Sequence, residues 1–366
     1  MRVPLADLRA QYLALKDEID AGMARVSESG SYIDGENVLL LEGQISDLCG
    51  AKFGVGVASG TDALVLALAA CGIGPGDEVI TTPFTFGATT EAIALVGATP
   101  VFIDIDLCTY NLDPSQLELA VTPRTRAILP VDLFGQMADR QPLLSVCKKH
   151  GLRLVVDAAQ AIGSTQNGHG VAEAGDVTTL SFYPTKNLGA FGDGGMTLTN
   201  DEEMMNRLRS LHMHGQSSYG HHERIGYCSR LDTIQAVVLS AKLPHLTDWN
   251  QARRRNAALY DTLLQGSQAV RPGSDPGNFH IYHQYTIRHS RRNDLQAFLK
   301  QHDVDSKVFY PLPMHLQQAY AYLGYREGDF PAAELAAREV LSLPIVPELH
   351  EEQIEYVANL IARFDP

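Results

Sequence analysis

Through the first two thirds of the chain, apolar runs of strand length alternate with apolar runs at helical spacing, and this alternation restricts the fold more than any other feature. A chain patterned in this way closes as a mainly parallel sheet covered by helices, an α/β architecture. The clearest units are FGVGVASGTDALVLALAACG, read as strand, turn and helix; DEVITTPFTFGATTEAIALVG, read as strand, loop and helix; then TPVFIDID, RAILPVDLFG and LLSVCKKHGLRLVVDAAQA. Ligands of such sheets collect where the strands end at their carboxyl side. The turns SGTD, PFTF, DLFG and DAAQ are therefore the candidate site loops.

Past about residue 246 the texture changes. A long polar helix (DWNQARRRNAALYDTLL), a strand (HIYHQYTIR), a helix (RRNDLQAFLKQH), a strand (VDSKVFY) and two closing helices read as a smaller α+β unit. The expected division is a large α/β domain at 1–246, opening with a helical segment, and a small domain at 247–366. The proline and glycine content of PGSDPG marks a surface turn within the second.

Composition narrows the partners. The 366 residues carry a net charge of −14, which repels phosphate backbones and anionic lipid, so nucleic acid and membrane surfaces are not expected. Five cysteines without a C-x-x-C argue against a disulfide framework or zinc knuckle and for a reducing, cytoplasmic compartment. The amino terminus mixes charges through its apolar positions, unlike a signal peptide. The longest apolar run, Ala63 to Cys71, is far short of the ~18 residues a membrane span needs.

Three segments could carry chemistry. The turn Ser59-Gly60-Thr61-Asp62 closes a strand and opens a helix, so free backbone N–H groups and a positive helix end meet small residues. That suits a phosphate; it equally suits a plain N-cap by Ser59 or Thr61. Asp157 ends a buried-looking strand, where a carboxylate must find a cation, a metal or several donors, or cap the next helix. Gln160 shares its face if a helical turn begins there. Lys186 lies between a strand and a turn rich in glycine (SFYPTKNLGAFGDGG), a place for a surface lysine or for a buried one whose lowered pKa suits imine chemistry.

In combination, these segments resemble the DegT/DnrJ/EryC1/StrS sugar aminotransferases, pyridoxal-phosphate enzymes of the aspartate aminotransferase fold. The resemblance is carried by SGTDAL, TTPFTF, VDAAQAIG, SFYPTKNLGAFGDGG, SRLDTIQAVVLSAKL, FYPLPMHLQQAY and EVLSLPIVPEL, spread over nearly the whole chain. It implies pyridoxal 5'-phosphate, alternating with pyridoxamine 5'-phosphate in turnover, bound through an imine to Lys186, whose freed amine then moves the proton. It implies Asp157 on the pyridinium nitrogen, Ser59, Gly60, Thr61 and Ser181 around the phosphate, and Phe86 and Gln160 against the ring. Tyr183, Arg230, Tyr310 and His315 are implied substrate contacts.

The family pattern G-x-N-x-R-[ML]-D, which reaches the neighbouring subunit's cofactor phosphate, reads here Gly226-Tyr227-Cys228-Ser229-Arg230-Leu231-Asp232. Cys228 lacks the amide donors, leaving the Ser229 hydroxyl as a substitute. The implied partners are a nucleotide-linked keto sugar, L-glutamate and a second copy of the chain in a homodimer with shared sites. The histidines at 212, 214, 221 and 222 lack cysteines or an acidic partner at ligand spacing. Their loop reads as an arm near the dimer interface, around the anionic sugar nucleotide. That loop resembles those of enzymes aminating C3 of UDP-2-acetamido-3-keto sugars; C4 amination of a 4-keto-6-deoxy sugar and a non-catalytic regulatory role are the alternatives. A histidine in place of the lysine would mark the related dehydratases, and Lys186 argues against them.

Overall fold

The computed structural model describes residues 1–365. Seven strands form the central sheet: β1 (Phe53–Val57), β2 (Glu78–Thr81), β3 (Thr99–Phe102), β4 (Thr125–Ile128), β5 (Arg153–Asp157), β6 (Val177–Ser181) and β7 (Gly195–Thr199). Their spatial order is β1-β7-β6-β5-β4-β2-β3. Only β7 runs against its neighbours; β6, β5, β4, β2 and β3 pair in parallel. Register is set by burial on both faces: Leu154 and Val156 enter one apolar cluster and Val155 the other, as alternation along a strand requires.

The helices that matter for the site follow the strands. After a short α1 (Leu8–Ala14) and α2 (Lys16–Ser29), α3 (Glu36–Cys49) leads into β1. Then α4 (Gly60–Ala70) leaves β1, α5 (Gly87–Leu95) leaves β2, α6 (Arg140–His150) leads into β5, and α7 (Glu202–His212) leaves β7. The start of α4 is fixed locally: Ser59 is its N-cap and its Oγ accepts from the N–H of Asp62 at 3.0 Å. Helix α8 (Thr233–Lys242) passes behind the site, and α9 (Leu246–Leu263) opens the polar final third.

That third builds its own core. Strands β8 (Tyr285–Arg288) and β9 (Val340–Leu343) pair antiparallel under α10 (Arg292–Gln301), α11 (Pro331–Glu339) and α12 (Glu351–Phe364). Two strand expectations change. HIYHQYTIR is strand only from Tyr285, because Ile281 and the residues around it bond to the 134–135 turn instead. VDSKVFY makes isolated bridges, Val304 with Val3 and Lys307 with Ser342, while the strand facing β8 is Val340–Leu343. Val3 is fully buried in this core of the final third.

Among the described residues, no helix is long and apolar enough to cross a membrane.

Candidate active site

The carboxyl ends of β1, β5 and β6 and the segment before β8 converge on a cavity of about 680 Å³. It gathers Ser59, Gly60, Thr61, Phe86, Asp157, Gln160, Ser181, Tyr183, Lys186 and Tyr310. Along one wall, the first turn of α4 offers backbone N–H groups that its own helix cannot satisfy. Gly60 is required there: a Cβ would stand 2.6 Å from the Cβ of Ser181, at the end of β6.

Asp157 is 5% exposed. Its Oδ2 accepts from the Thr89 hydroxyl at 2.8 Å and its Oδ1 from the Ala159 N–H at 3.1 Å. Thr85 lies 2.8 Å behind Thr89, hydroxyl to hydroxyl. Burial pushes the Asp157 carboxyl above its ordinary value; the two hydrogen bonds and the charge of Lys186 oppose that without cancelling it. No helix starts after Asp157. Residues 158–163 form turns, and Gln160 is oriented by tertiary contacts, its Oε1 accepting from Phe134 N–H at 2.8 Å and its Nε2 donating to the Tyr310 hydroxyl at 3.2 Å.

Lys186 sits in a turn after β6, its N–H donating to the Tyr183 carbonyl at 2.8 Å. Burial drives its amine down to about 8, partly countered by Asp157. The following glycine-rich turn is held from α8: Lys242 Nζ donates to the Gly189 carbonyl at 2.6 Å, and Gln235 Oε1 accepts from Phe191 N–H at 2.8 Å. Phe86 stands 60% exposed on the cavity wall, its ring 6.1 Å from that of Tyr310.

Four expected contacts lie outside this cavity in the single chain. His315 is buried, with Nε2 3.1 Å from Glu334 Oε1 and its ring against Phe330, so it is not at the mouth. Arg230 turns back to the sulfurs of Cys228 and Met213. Cys228 is exposed and paired in backbone with Met213. The Ser229 hydroxyl is used within the chain, donating to Asp62 at 2.7 Å and accepting from Ala58 N–H at 3.2 Å. The histidine-bearing loop is a small exposed hairpin, Gln216–Ser218 against His221–His222.

The sequence reading missed Thr89 and Thr85 behind Asp157, His283 and Arg253 on the cavity wall, and the segment around Asp7 that lines it from the amino terminus. In GATTEAIAL Thr89 is one of three adjacent polar residues with Thr90 and Glu91, so nothing local singled it out.

Residues 14–362 match the DegT/DnrJ/EryC1/StrS aminotransferase family. The chain belongs to that family. As a family member it is similar, at 51% identity over 100% of this chain and 99% of the relative, to the "Pleiotropic regulatory protein" of Geobacillus stearothermophilus. It is 46% identical, over 99% of this chain and 97% of the relative, to the UDP-N-acetyl-3-dehydro-alpha-D-glucosamine 3-aminotransferase of Acidithiobacillus ferrooxidans. The crystal structure of S. venezuelae DesV in complex with a ketimine intermediate matches it with a TM-score of 0.98 at 43% identity, covering 100% of this chain and 98% of that one. This aminotransferase is an enzyme of the pyridoxal-phosphate-dependent class that acts on sugars.

The residues present suit that cofactor. Asp157 is a buried carboxylate with two neutral donors and, among the described residues, no ion-paired cation, which leaves a place for a protonated ring nitrogen. The helix end at Gly60 suits a phosphate, and the exposed face of Phe86 suits an aromatic ring.

Proposed function

We propose that the enzyme aminates C3 of a UDP-linked 2-acetamido-3-keto hexose, with L-glutamate as amino donor, as a homodimer. What carries this reading is the 46% identity, end to end, with a relative named for that 3-aminotransferase reaction. When bound, the pyridoxal group supplies an electron sink that stabilises negative charge on the carbon losing its proton.

The chain's own residues do the rest. The Lys186 amine, which burial pushes down to about 8, gives and takes the proton at the reacting carbon. Asp157 would hold the ring nitrogen of the bound cofactor protonated, and Thr89 holds Asp157. Ser59, Gly60, Thr61 and Ser181 would take the cofactor's phosphate, and Phe86 and Gln160 would lie against its ring. Tyr183 and Tyr310, on the cavity wall, are assigned to the sugar. Arg230, Cys228 and Ser229 keep a role only toward a partner subunit, and Ser229 only by giving up its present bonds.

The test loads the enzyme with pyridoxamine 5'-phosphate and adds UDP-2-acetamido-3-keto-glucose or a 4-keto-6-deoxy nucleotide sugar in separate reactions. Return of the aldehyde cofactor's absorbance with the 3-keto compound, and its loss in Lys186→Ala, is the expected result. Conversion of the 4-keto compound alone refutes the C3 assignment.

A further inference from the structure

Arg253 lines the cavity but has no part in the chemistry above. Among the described residues three arginines are buried, at 140, 253 and 292, and two of them are compensated within the chain. Arg140 pairs with the Asp132 carboxylate at 2.6 Å. Arg292 uses all its nitrogens: Nε donates to the Asn293 side-chain oxygen, Nη1 to the Val340 carbonyl and Nη2 to the Ala337 carbonyl. Arg253 is 5% exposed, and among the described residues only its Nη1 donates, to the Tyr282 and His283 carbonyls at 3.2 and 3.3 Å. Its Nε is buried with no partner, and Nη2 has none either. Glu348, also on the cavity wall, acts on it through charge and makes no ion pair with it.

A buried cation with a free edge beside a cavity is stabilised by an anion from outside the chain. The free edge selects the shape of that anion. With Nη1 held by carbonyls, Nε and Nη2 present two parallel N–H groups, the fork that takes both oxygens of a planar carboxylate. The place of the edge follows from α9. Asn250, three residues before Arg253, shares its side of the helix. Its Oδ1 accepts at 2.7 Å from Nδ2 of Asn187, the residue directly after Lys186. His283, whose carbonyl Arg253 holds, has its Nδ1 3.0 Å from Asn187 Oδ1. Hydrogen bonds from two elements thus tie the guanidinium to the turn that carries Lys186. The substrate carboxylate that must come nearest to that lysine is the amino donor's, because it is bonded to the carbon whose proton the lysine moves.

We propose that Arg253 binds the α-carboxylate of the amino donor at the edge formed by Nε and Nη2. The assignment rests on the reading of the enzyme as a transaminase with Lys186 as its reacting amine, and not on which sugar carbon is aminated. A carboxylate on C5 of a uronic-acid sugar has the same chemistry, and the experiment separates the two sources.

The test measures binding without turnover. 2-Methyl-L-glutamate has no α-hydrogen for Lys186 to remove, and 2-methyl-L-isoglutamine differs from it only by an uncharged amide in place of the α-carboxylate. Calorimetry on the parent enzyme loaded with pyridoxal 5'-phosphate should show the acid bound about 30-fold or more tightly than the amide. Arg253→Gln should bring that ratio down to about twofold or less. Arg253→Lys keeps the charge and a donor for the two carbonyls but loses the fork, so it holds the fold should the glutamine variant not, and it should still lower the ratio by about fivefold or more. A ratio in Arg253→Lys within about twofold of the parent's, with cofactor and melting temperature retained, overturns the assignment, as does a parent that binds acid and amide alike. A parent that binds neither removes the transaminase reading itself, and the proposal with it. For the other source, the same proteins are titrated with UDP-2-acetamido-glucose and with its glucuronate. The ratio of those two affinities should be the same in parent and variants; a loss confined to the glucuronate assigns Arg253 to the sugar and overturns the donor site.

Discussion

Thr89 shows how a single hydroxyl controls a neighbouring charge. Among the described residues it is the one side chain that donates to Asp157, and it favours the ionised carboxylate against the burial that opposes it. Thr89→Val removes that donor at nearly constant volume. Folded Asp157 then needs a higher pH to ionise, so activity that depends on its charge is lost earlier as pH falls. A hydrogen bond to a charged group is worth ~1.5–3 kcal/mol, so the acid limb of the pH–rate profile should move up by roughly 1–2 pH units. An unmoved acid limb would show that Thr89 is not coupled to the carboxylate. This coupling was only half legible in the chain: Asp157 announced itself as a polar residue ending an apolar strand, but Thr89 lies on a different element and reaches it only through folding. His315 is the converse case, a polar residue beside the expected mouth that packing turned inward onto Glu334.

Among the elements, the contact between β7 and the start of α4 decides whether the phosphate corner exists. Gly195 opens β7, and a Cβ there would run into the Ser59 carbonyl, which accepts the first bond of α4 from Ala63 N–H at 3.0 Å. Backbone on both sides leaves nothing flexible to yield. Gly195→Ala should therefore displace the helix end, costing about 1–3 kcal/mol of stability and, more tellingly, retention of the cofactor. Gel filtration with absorbance detection and thermal melting check both; a variant that keeps its cofactor and its melting temperature would show the contact to be tolerant. Helix α3 is a second clamp. Its buried Glu42 accepts from Gly56 N–H at 2.7 Å on β1 and pairs with Arg209 at 2.6 Å on α7, tying the edge of the sheet to helices on both sides.

Across the whole molecule, the apolar side chains left in water point to assembly. Leu39 and Leu40 on α3, Tyr32 and Ile33 before it, and Phe191 in the turn after Lys186 are all exposed in the single chain. On the homodimer reading they are covered by a second copy, with an interface above ~2,000 Å² as obligate dimers have. Sedimentation equilibrium at micromolar concentration should give a dimer, and Leu39→Glu combined with Leu40→Glu should shift it toward monomer while circular dichroism stays unchanged. A fully active monomer would remove the assembly from the proposal.

Periodicity by itself determined the α/β class and the turns where the site would lie, because strand and helix periods are local and burial on both faces of a parallel sheet leaves continuous apolar runs; the spatial order of the strands and the antiparallel β7 came only with the fold. Periodicity also marked Lys186, Asp157 and the Ser59–Thr61 turn, since each breaks a local pattern. Only the tertiary structure decided that Val3 belongs to the core of the final third and that VDSKVFY yields its place beside β8 to Val340–Leu343. Only it could join Thr89 to Asp157 and Asn187 to His283. Those pairings lie 68 and 96 residues apart along the chain, and a hydrogen bond across such a separation leaves no trace in the period or composition of either segment.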